Sequence, residues 1–279
     1  MSNTTIAEIS VCDTFSGIGG IKLGLKMIAP LFPNLKLQVK QFVEIDKKAQ
    51  AVLKTHFPEI PIYGDIKTYH AKTKEFDLIC GGFPCTGTSM AGKRTGLAHS
   101  ESELWWEMFR VIEESKSKFV FIEQPEGIIY TALRTILGGL RLAGYSTEVE
   151  LISAAELGAP HRRNRIFIIA YSNQVSQVIG TRGGCWAEQA GNDIEKVRAL
   201  TQAQETQPGS MPVDDGIPGW LGGVSFDGEV WGRPPMVSGI PPRTPGRVDC
   251  INLYGQSVCP LQVAAAGMRL CRLMEIYGN

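Results

Sequence analysis

Short apolar runs alternate with longer stretches of 3.6-residue periodicity through the first 172 residues of the chain. ISVCD (9–13) predicts a buried strand, and IKLGLKMIA (21–29) puts Ile21, Leu25 and Ile28 on one helical face. LQVKQFVE (37–44) predicts a second strand, and KKAQAVLKTHF (47–57) a helix with Ala49, Val52 and Leu53 inward. FDLICGG (76–82) and FVFIE (119–123) predict further strands. Between them, ESELWWEMFRVIEESK (101–116) keeps Leu104, Met108, Val111 and Ile112 in helical register. The helix YTALRTILGGLRLAG (130–144) ends in glycine, and STEVELIS (146–153) and RIFIIAY (165–171) complete the strands. Strands and helices alternating at this spacing predict an α/β fold of Rossmann-like type, a mostly parallel twisted sheet with helices on both faces.

The pattern changes after Ser172. Residues 173–240 are rich in Gln, Gly and Pro and weakly periodic, which predicts a small, irregular domain. The chain then divides into a main domain over 1–172, the small domain over 173–240 and a segment over 241–279 that returns to the main domain. The returning segment carries a helix, PLQVAAAGMRLCRLMEIYG. Formal net charge is zero, with −4 on residues 173–240 and +4 on the rest. That balance argues against a non-specific nucleic-acid coat and leaves room for a local basic cleft. Seven cysteines, an odd number without C-x-x-C spacing, disfavour a disulfide framework and a zinc ribbon. No apolar run reaches the length of a membrane span, and MSNTTIAEIS lacks the basic and apolar regions of a secretory signal. The expectation is a reduced, cytoplasmic protein with no metal.

Candidate chemistry sits at the predicted strand ends. DTFSGIGGIKLGL (13–25) reads as strand, glycine-rich turn and helix, where Gly17, Gly19 and Gly20 permit close backbone approach to a ligand. The spacing is not the dinucleotide G-x-G-x-x-G, and glycine turns also occur without ligands. Glu44 ends the second strand, where a carboxylate can take two ribose hydroxyls. Asp65 follows the short extended run IPIY and could hold an exocyclic amine or simply cap a turn. Together these suggest an adenosine-bearing cofactor without a pyrophosphate clamp. Cys85 follows Pro84 in GGFPCTGTSMAGKR, on a loop where a thiol can be deprotonated and nucleophilic. An arbitrary free cysteine is more often a small buried hydrophobe. Glu123 follows four apolar residues, so burial should raise its pKa and suit it to proton donation. HRRNRIFIIA (161–170) carries Arg163 and Arg165, alternate residues that would share a face.

In this order the elements resemble DNA (cytosine-5) methyltransferases, over about residues 9–172 and 241–275. FSGIGG is similar to the family's cofactor turn, PCTGTSMAG to its Pro-Cys loop, HRRNR to its Gln-x-Arg-x-Arg element and GQSVCP to its Gly-Asn-x-Val-x-Pro element. The short variable segment and GRPPMVSGIPPRTPGRVDCINLYGQSV look most like the compact enzymes of bacteriophages and prophages. Departures from the family pattern fall at Gln124, Pro125, His161 and Gln256, and at Thr86 and Thr88 in the Pro-Cys loop.

The resemblance implies transfer of a methyl group from S-adenosyl-L-methionine to carbon 5 of cytosine, leaving S-adenosyl-L-homocysteine. Cys85 would add to carbon 6 of a flipped base, and Glu123 would bind or protonate N3 and the exocyclic amine. Arg163 would bind the cytosine carbonyl, and Arg165 would support the loop or bind phosphate. Cofactor contacts would come from Phe15, Ser16, Gly17, Gly19, Gly20, Glu44, Ile45, Asp65, Ile66, Pro84, Gln256, Ser257 and Val258. Ser89, Lys93 and Arg94 would touch DNA, and residues 173–240 stand in the place of the target-recognition domain. The partners implied are duplex DNA and a cognate restriction endonuclease, with a monomer as the expected state. Two rival readings are the same chemistry on transfer RNA and a non-catalytic relative that binds DNA or cofactor. A dinucleotide-dependent oxidoreductase fits poorly without the G-x-G-x-x-G turn.

Overall fold

The structure is a computed structural model that describes residues 7–84, 104–159, 162–202, 253 and 257–278. Its strands are β1 (Ala7–Thr14), β2 (Leu35–Val43), β3 (Ile62–Tyr63), β4 (Leu78–Gly81), β5 (Phe119–Pro125), β6 (Tyr145–Ser153) and β7 (Asn164–Ser172). They form one sheet in the order β3-β2-β1-β4-β5-β7-β6. Neighbours among β1 to β5 are parallel, and β7 runs antiparallel to both β5 and β6.

Helices cover both faces, so the central strands are apolar on both sides. Leu78, Cys80, Phe119, Phe121, Phe167 and Ile169 point to one face. Ile79, Val120, Ile122, Ile166 and Ile168 alternate to the other. The first face is packed by α1 (Gly20–Ile28), α6 (Asn173–Ile179), α7 (Trp186–Gln202) and α8 (Pro260–Gly278). The second is packed by α3 (Leu104–Ser115), α4 (Ile128–Thr131) and α5 (Leu133–Leu142). A third cluster joins α2 (Lys47–His56) to β2 through Phe42, Leu53 and Phe57. The helix expected over 130–144 starts earlier and is broken at Ala132, whose φ of −141° leaves the helical region.

The returning segment meets α1 at unusually short range. A Cβ on Gly24 would lie 2.5 Å from both the Pro260 carbonyl oxygen and Val263 Cβ. Only glycine lets the two helices approach this closely. Residues 173–202 of the expected small domain form α6 and α7, which share the core of the main domain through Val175, Ile179, Trp186 and Val197. The rest of that segment lies outside the described residues.

A buried cation ties these helices to the sheet. Arg269 of α8 is 1% exposed and meets Glu148 of β6 through two bonds of 2.7 Å. Its other donors reach the Gly183 and Gly184 carbonyls and Gln189. One turn further, Arg272 pairs with the buried carboxylate of Asp193 on α7. Part of the acidic charge counted in this segment is therefore neutralised within the fold.

Candidate active site

The strand order reverses at β1, whose neighbours β2 and β4 carry the chain away in opposite directions. In such sheets the crevice opens beyond the carboxyl ends of the strands at the reversal. Thr14 of β1 is in register with Val43 of β2 and with Gly81 of β4, and Gly81 with Ile122 of β5. Register alone therefore brings Phe15, Glu44, Gly82 and Glu123 to one edge.

The turn after β1 uses three left-handed residues, Phe15 (φ 52°), Gly17 (φ 54°) and Gly19 (φ 90°). Glycine takes this conformation freely, whereas Phe15 costs on the order of 1–3 kcal/mol. Glu44 clamps the turn. Its Oε2 accepts from the Gly17 amide at 2.7 Å, and its Oε1 accepts from the Asp46 amide at 2.8 Å. Burial raises the Glu44 pKa, and these backbone donors oppose the rise. A Cβ on Gly17 would meet nothing within 4 Å among the described residues, which leaves space over the turn. Asp65 caps a short 3₁₀ turn through a 3.0 Å bond from the Lys67 amide. Ile45 is 65% exposed beside Glu44, a flat apolar surface at the crevice. Ile66, by contrast, is buried in the core, which leaves only its backbone toward the crevice. Ser16 is buried and donates to the Asp13 carbonyl, so it shapes the turn from beneath.

The residues present fit an adenosine-bearing group: open space over Gly17, a clamped carboxylate for hydroxyls, an exposed apolar side chain and a second carboxylate at the next strand end. Asp13 adds a feature that strand alternation did not flag. It is fully buried under the turn, and among the described residues its carboxylate meets no stronger donor than the weak thiol of Cys80. Burial, reinforced by the Glu44 carboxylate, pushes its pKa well above the usual range.

On the other side of the reversal, Glu123 is 7% exposed. Arg165 Nε lies 2.6 Å from Glu123 Oε1. Burial raises the Glu123 pKa, and the positive charges of Arg165 and Arg163 act against it. The backbone leaving β4 packs directly on this carboxylate, because a Cβ on Gly82 would lie 2.9 Å from Glu123 Oε2. Gln124 Nε2 donates to the Phe83 carbonyl at 3.1 Å, holding the loop two residues before Cys85.

Arg163 reaches this site by a route the alternation argument missed. It precedes β7 and has φ 33°, so strand geometry does not orient it. Its Nη2 donates to the Ser257 carbonyl at 2.6 Å, and burial lowers its pKa. Ser257 and Val258 in turn lie against the cofactor turn, where a Cβ on Gly20 would meet the Val258 carbonyl oxygen at 2.7 Å. Cys85, Ser89, Lys93, Arg94, His161 and Gln256 lie outside the described residues, and Pro84 is the last described position before Cys85.

A family model, C-5 cytosine-specific DNA methylase, matches residues 9–209. The chain belongs to that family. The match covers the glycine turn, the Pro-Cys loop, Glu123 and both arginines, and runs on through α6 and α7. Among curated members, the type II methyltransferase M.CviJI of Paramecium bursaria Chlorella virus IL3A is 35% identical over 161 residues, 57% of this chain and 42% of that protein. M.HhaI of Haemophilus parahaemolyticus is 30% identical over 171 residues, 59% of this chain and 49% of that protein. The matched region thus spans less than half the length of either relative. In fold, the chain is similar to the Entamoeba histolytica methyltransferase EhMeth, with a TM-score of 0.50 and 16% identity over 59% of this chain and 53% of that one. Among the described residues no helix is long and apolar enough to cross a membrane.

Proposed function

We propose that this chain methylates carbon 5 of a flipped cytosine in duplex DNA, using S-adenosyl-L-methionine. The observation that carries the reading is the pairing of buried Glu123 with partly buried Arg165, the carboxylate packed on the backbone that leads from β4 into the Pro-Cys loop. S-adenosyl-L-methionine, when bound, supplies an electrophilic methyl group. Carbon 5 of cytosine is too weak a nucleophile to take it unaided.

Cys85 supplies the activation: its thiolate adds to carbon 6, and the ring electrons shift toward N3. Glu123 meets that charge at N3. A carboxyl whose pKa is raised by burial can hold the proton that N3 needs, while Arg165 keeps it oriented. Arg163 binds the base carbonyl, and its low local solvation strengthens that bond. Carbon 5 then takes the methyl group, loss of its proton to a base lets the Cys85–carbon 6 bond break, and the N3 proton returns to Glu123, restoring the ring, the carboxyl and the thiolate. Glu44 orients the ribose hydroxyls of the cofactor, Asp65 the adenine amine, and Gly17 and Gly19 admit the methionine part. Ser89, Lys93 and Arg94 would bind backbone phosphates, and the residues beyond α7 to 240 would read the sequence. A cytoplasmic location and a cognate restriction endonuclease as partner belong to the same proposal.

Duplex DNA carrying 5-fluorocytosine tests the reading. Fluorine cannot leave as the proton does, so the working enzyme stays bonded through Cys85. A denaturation-resistant adduct that needs the cofactor and disappears in Cys85→Ala is expected. Absence of adduct on DNA of every sequence overturns the proposal, and an adduct on transfer RNA instead would reassign the substrate.

A further inference from the structure

Gln262 has no part in the chemistry above, yet it is one of the few fully buried polar side chains. It lies in the first turn of α8, within the apolar run LQVAAA. Its Nε2 donates twice, to the Ile152 carbonyl at 2.7 Å and to the Arg163 carbonyl at 2.8 Å. One amide therefore ties α8 both to β6 and to the residue that precedes β7.

Arg163 is where such a tie matters. A left-handed backbone at an arginine persists only where its surroundings over-determine it. Three sets of bonds do so. The preceding carbonyl, of Arg162, accepts from the Ala154 amide and the Ser153 hydroxyl, each at 2.8 Å. The Arg163 guanidinium is held by the Ser257 carbonyl at 2.6 Å. Its own carbonyl is held by Gln262. Residues 257–262 thus grip Arg163 at both its side chain and its backbone.

The amide is a costly way to fill this space, because its Oε1 is buried without a partner among the described residues. Methionine would occupy the same volume with no polar atom stranded. What glutamine adds is a fixed Arg163 turn. We propose that Gln262 is a positioning residue that sets the Arg163 backbone and so aims its guanidinium at the substrate base. This rests on the reading of Arg163 as the ligand of the base carbonyl.

The test uses the full-length protein and three variants, Gln262→Met, Arg163→Lys and the two combined. In Gln262→Met, kcat for methyl transfer to duplex DNA should fall about 10- to 100-fold, as expected for a small misplacement of a binding group. KM for S-adenosyl-L-methionine should change less than about twofold, because Glu44 and Gly17 are untouched. The combined variant should be no slower than Arg163→Lys alone, since Gln262 acts through Arg163. The Arg163 Nε–Hε NMR signal, assigned by its absence in Arg163→Lys, should move in Gln262→Met. Additive kinetic losses with an unmoved Arg163 signal would mean a merely structural role and would overturn the inference. So would an unchanged kcat. If the wild type transfers no methyl group to DNA, the reading of the site has failed, and the Arg163 signal alone decides whether Gln262 positions that residue. Should Gln262→Met not fold, Gln262→Asn, one methylene short of both carbonyls, carries the same comparison.

Discussion

Replacing Asp13 by asparagine should make the protein's stability less dependent on pH, and the size of the effect follows from burial. The wild-type carboxyl is fully buried with only the weak Cys80 thiol as a donor among the described residues, and burial raises its pKa well above normal. In the unfolded chain the same group ionises near its ordinary pKa of about 3.9. The folded state therefore binds a proton that the unfolded state has already released. The folded pKa is the higher one, so the stability this group contributes is fully present below about pH 3.9 and is lost as pH rises through the folded pKa. Within that window each pH unit costs the wild type about 1.4 kcal/mol relative to asparagine, which has no proton to keep. For a chain of this length that corresponds to a gap in Tm widening by roughly 3–5 °C per pH unit. Glu123, whose pKa is also raised, is present in both proteins and cancels in the difference, whereas the repulsion between Glu44 and Asp13 is lost in the variant and belongs to the measured gap. Thermal and urea unfolding of both proteins without cofactor, followed upward in pH from the ordinary carboxylate pKa of about 3.9, measures the gap. Parallel stability curves would show that Asp13 is ionised or partnered when folded, and would refute the reasoning.

Other expectations follow from the same contacts. Glu44→Ala should weaken S-adenosyl-L-methionine binding at least about tenfold, the value of one lost charge-assisted bond, with circular dichroism unchanged; unaltered affinity by calorimetry would remove Glu44 from the cofactor site. Arg269→Ala should destabilise by about 3–5 kcal/mol, because it strands Glu148 and two backbone carbonyls; a urea midpoint close to wild type would refute this. Gly24→Ala should cost about 1–3 kcal/mol, since the new methyl meets a backbone oxygen that cannot move alone; a neutral result in thermal unfolding would show that α1 and α8 separate freely.

The sheet and the order of the site were legible because both depend on local signals. Strand period, helix period and the glycine turn name their elements, and an acid just past each parallel strand must reach the same edge. Features created by contacts distant in sequence were not legible. The inward stripe of α7 runs Trp186, Gln189, Asp193 and Val197, half of it polar, and those polar residues are matched by Arg269 and Arg272 from α8. An apolar set, Trp186, Ala190, Ile194, Val197 and Leu200, runs beside these positions, and the polar residues interrupt it. Arg163 was placed by strand alternation on the face of Arg165, whereas it sits before the strand in a left-handed turn held by Ser153, Ala154, Ser257 and Gln262. Asp13 reads as the end of an apolar strand, and nothing in its neighbours announces a buried acid with so weak a donor. A polar residue inside an apolar helical run was the one available signal for Gln262.

The departures at Gln124 and Pro125 raised the prospect of a silent relative, and their geometry speaks to it. Gln124 is fully buried and its longer side chain still delivers a donor to the Phe83 carbonyl, so the loop before Cys85 keeps a hold from β5. Pro125 lacks an amide hydrogen, which would break a ladder in mid-sheet. It stands as the last residue of β5, three positions beyond the last pairing with β4, where only β7 is alongside. Neither change disturbs Glu123. A buried carboxylate and guanidinium are a poor source of stability compared with apolar residues of the same size, because both ions must leave water. Gly82 seats the loop backbone against that carboxylate at the further expense of any side chain there. A fold that served only to bind would gain stability from apolar residues here, and the proposed chemistry gives the pair a use, to hold a proton where a base ring arrives.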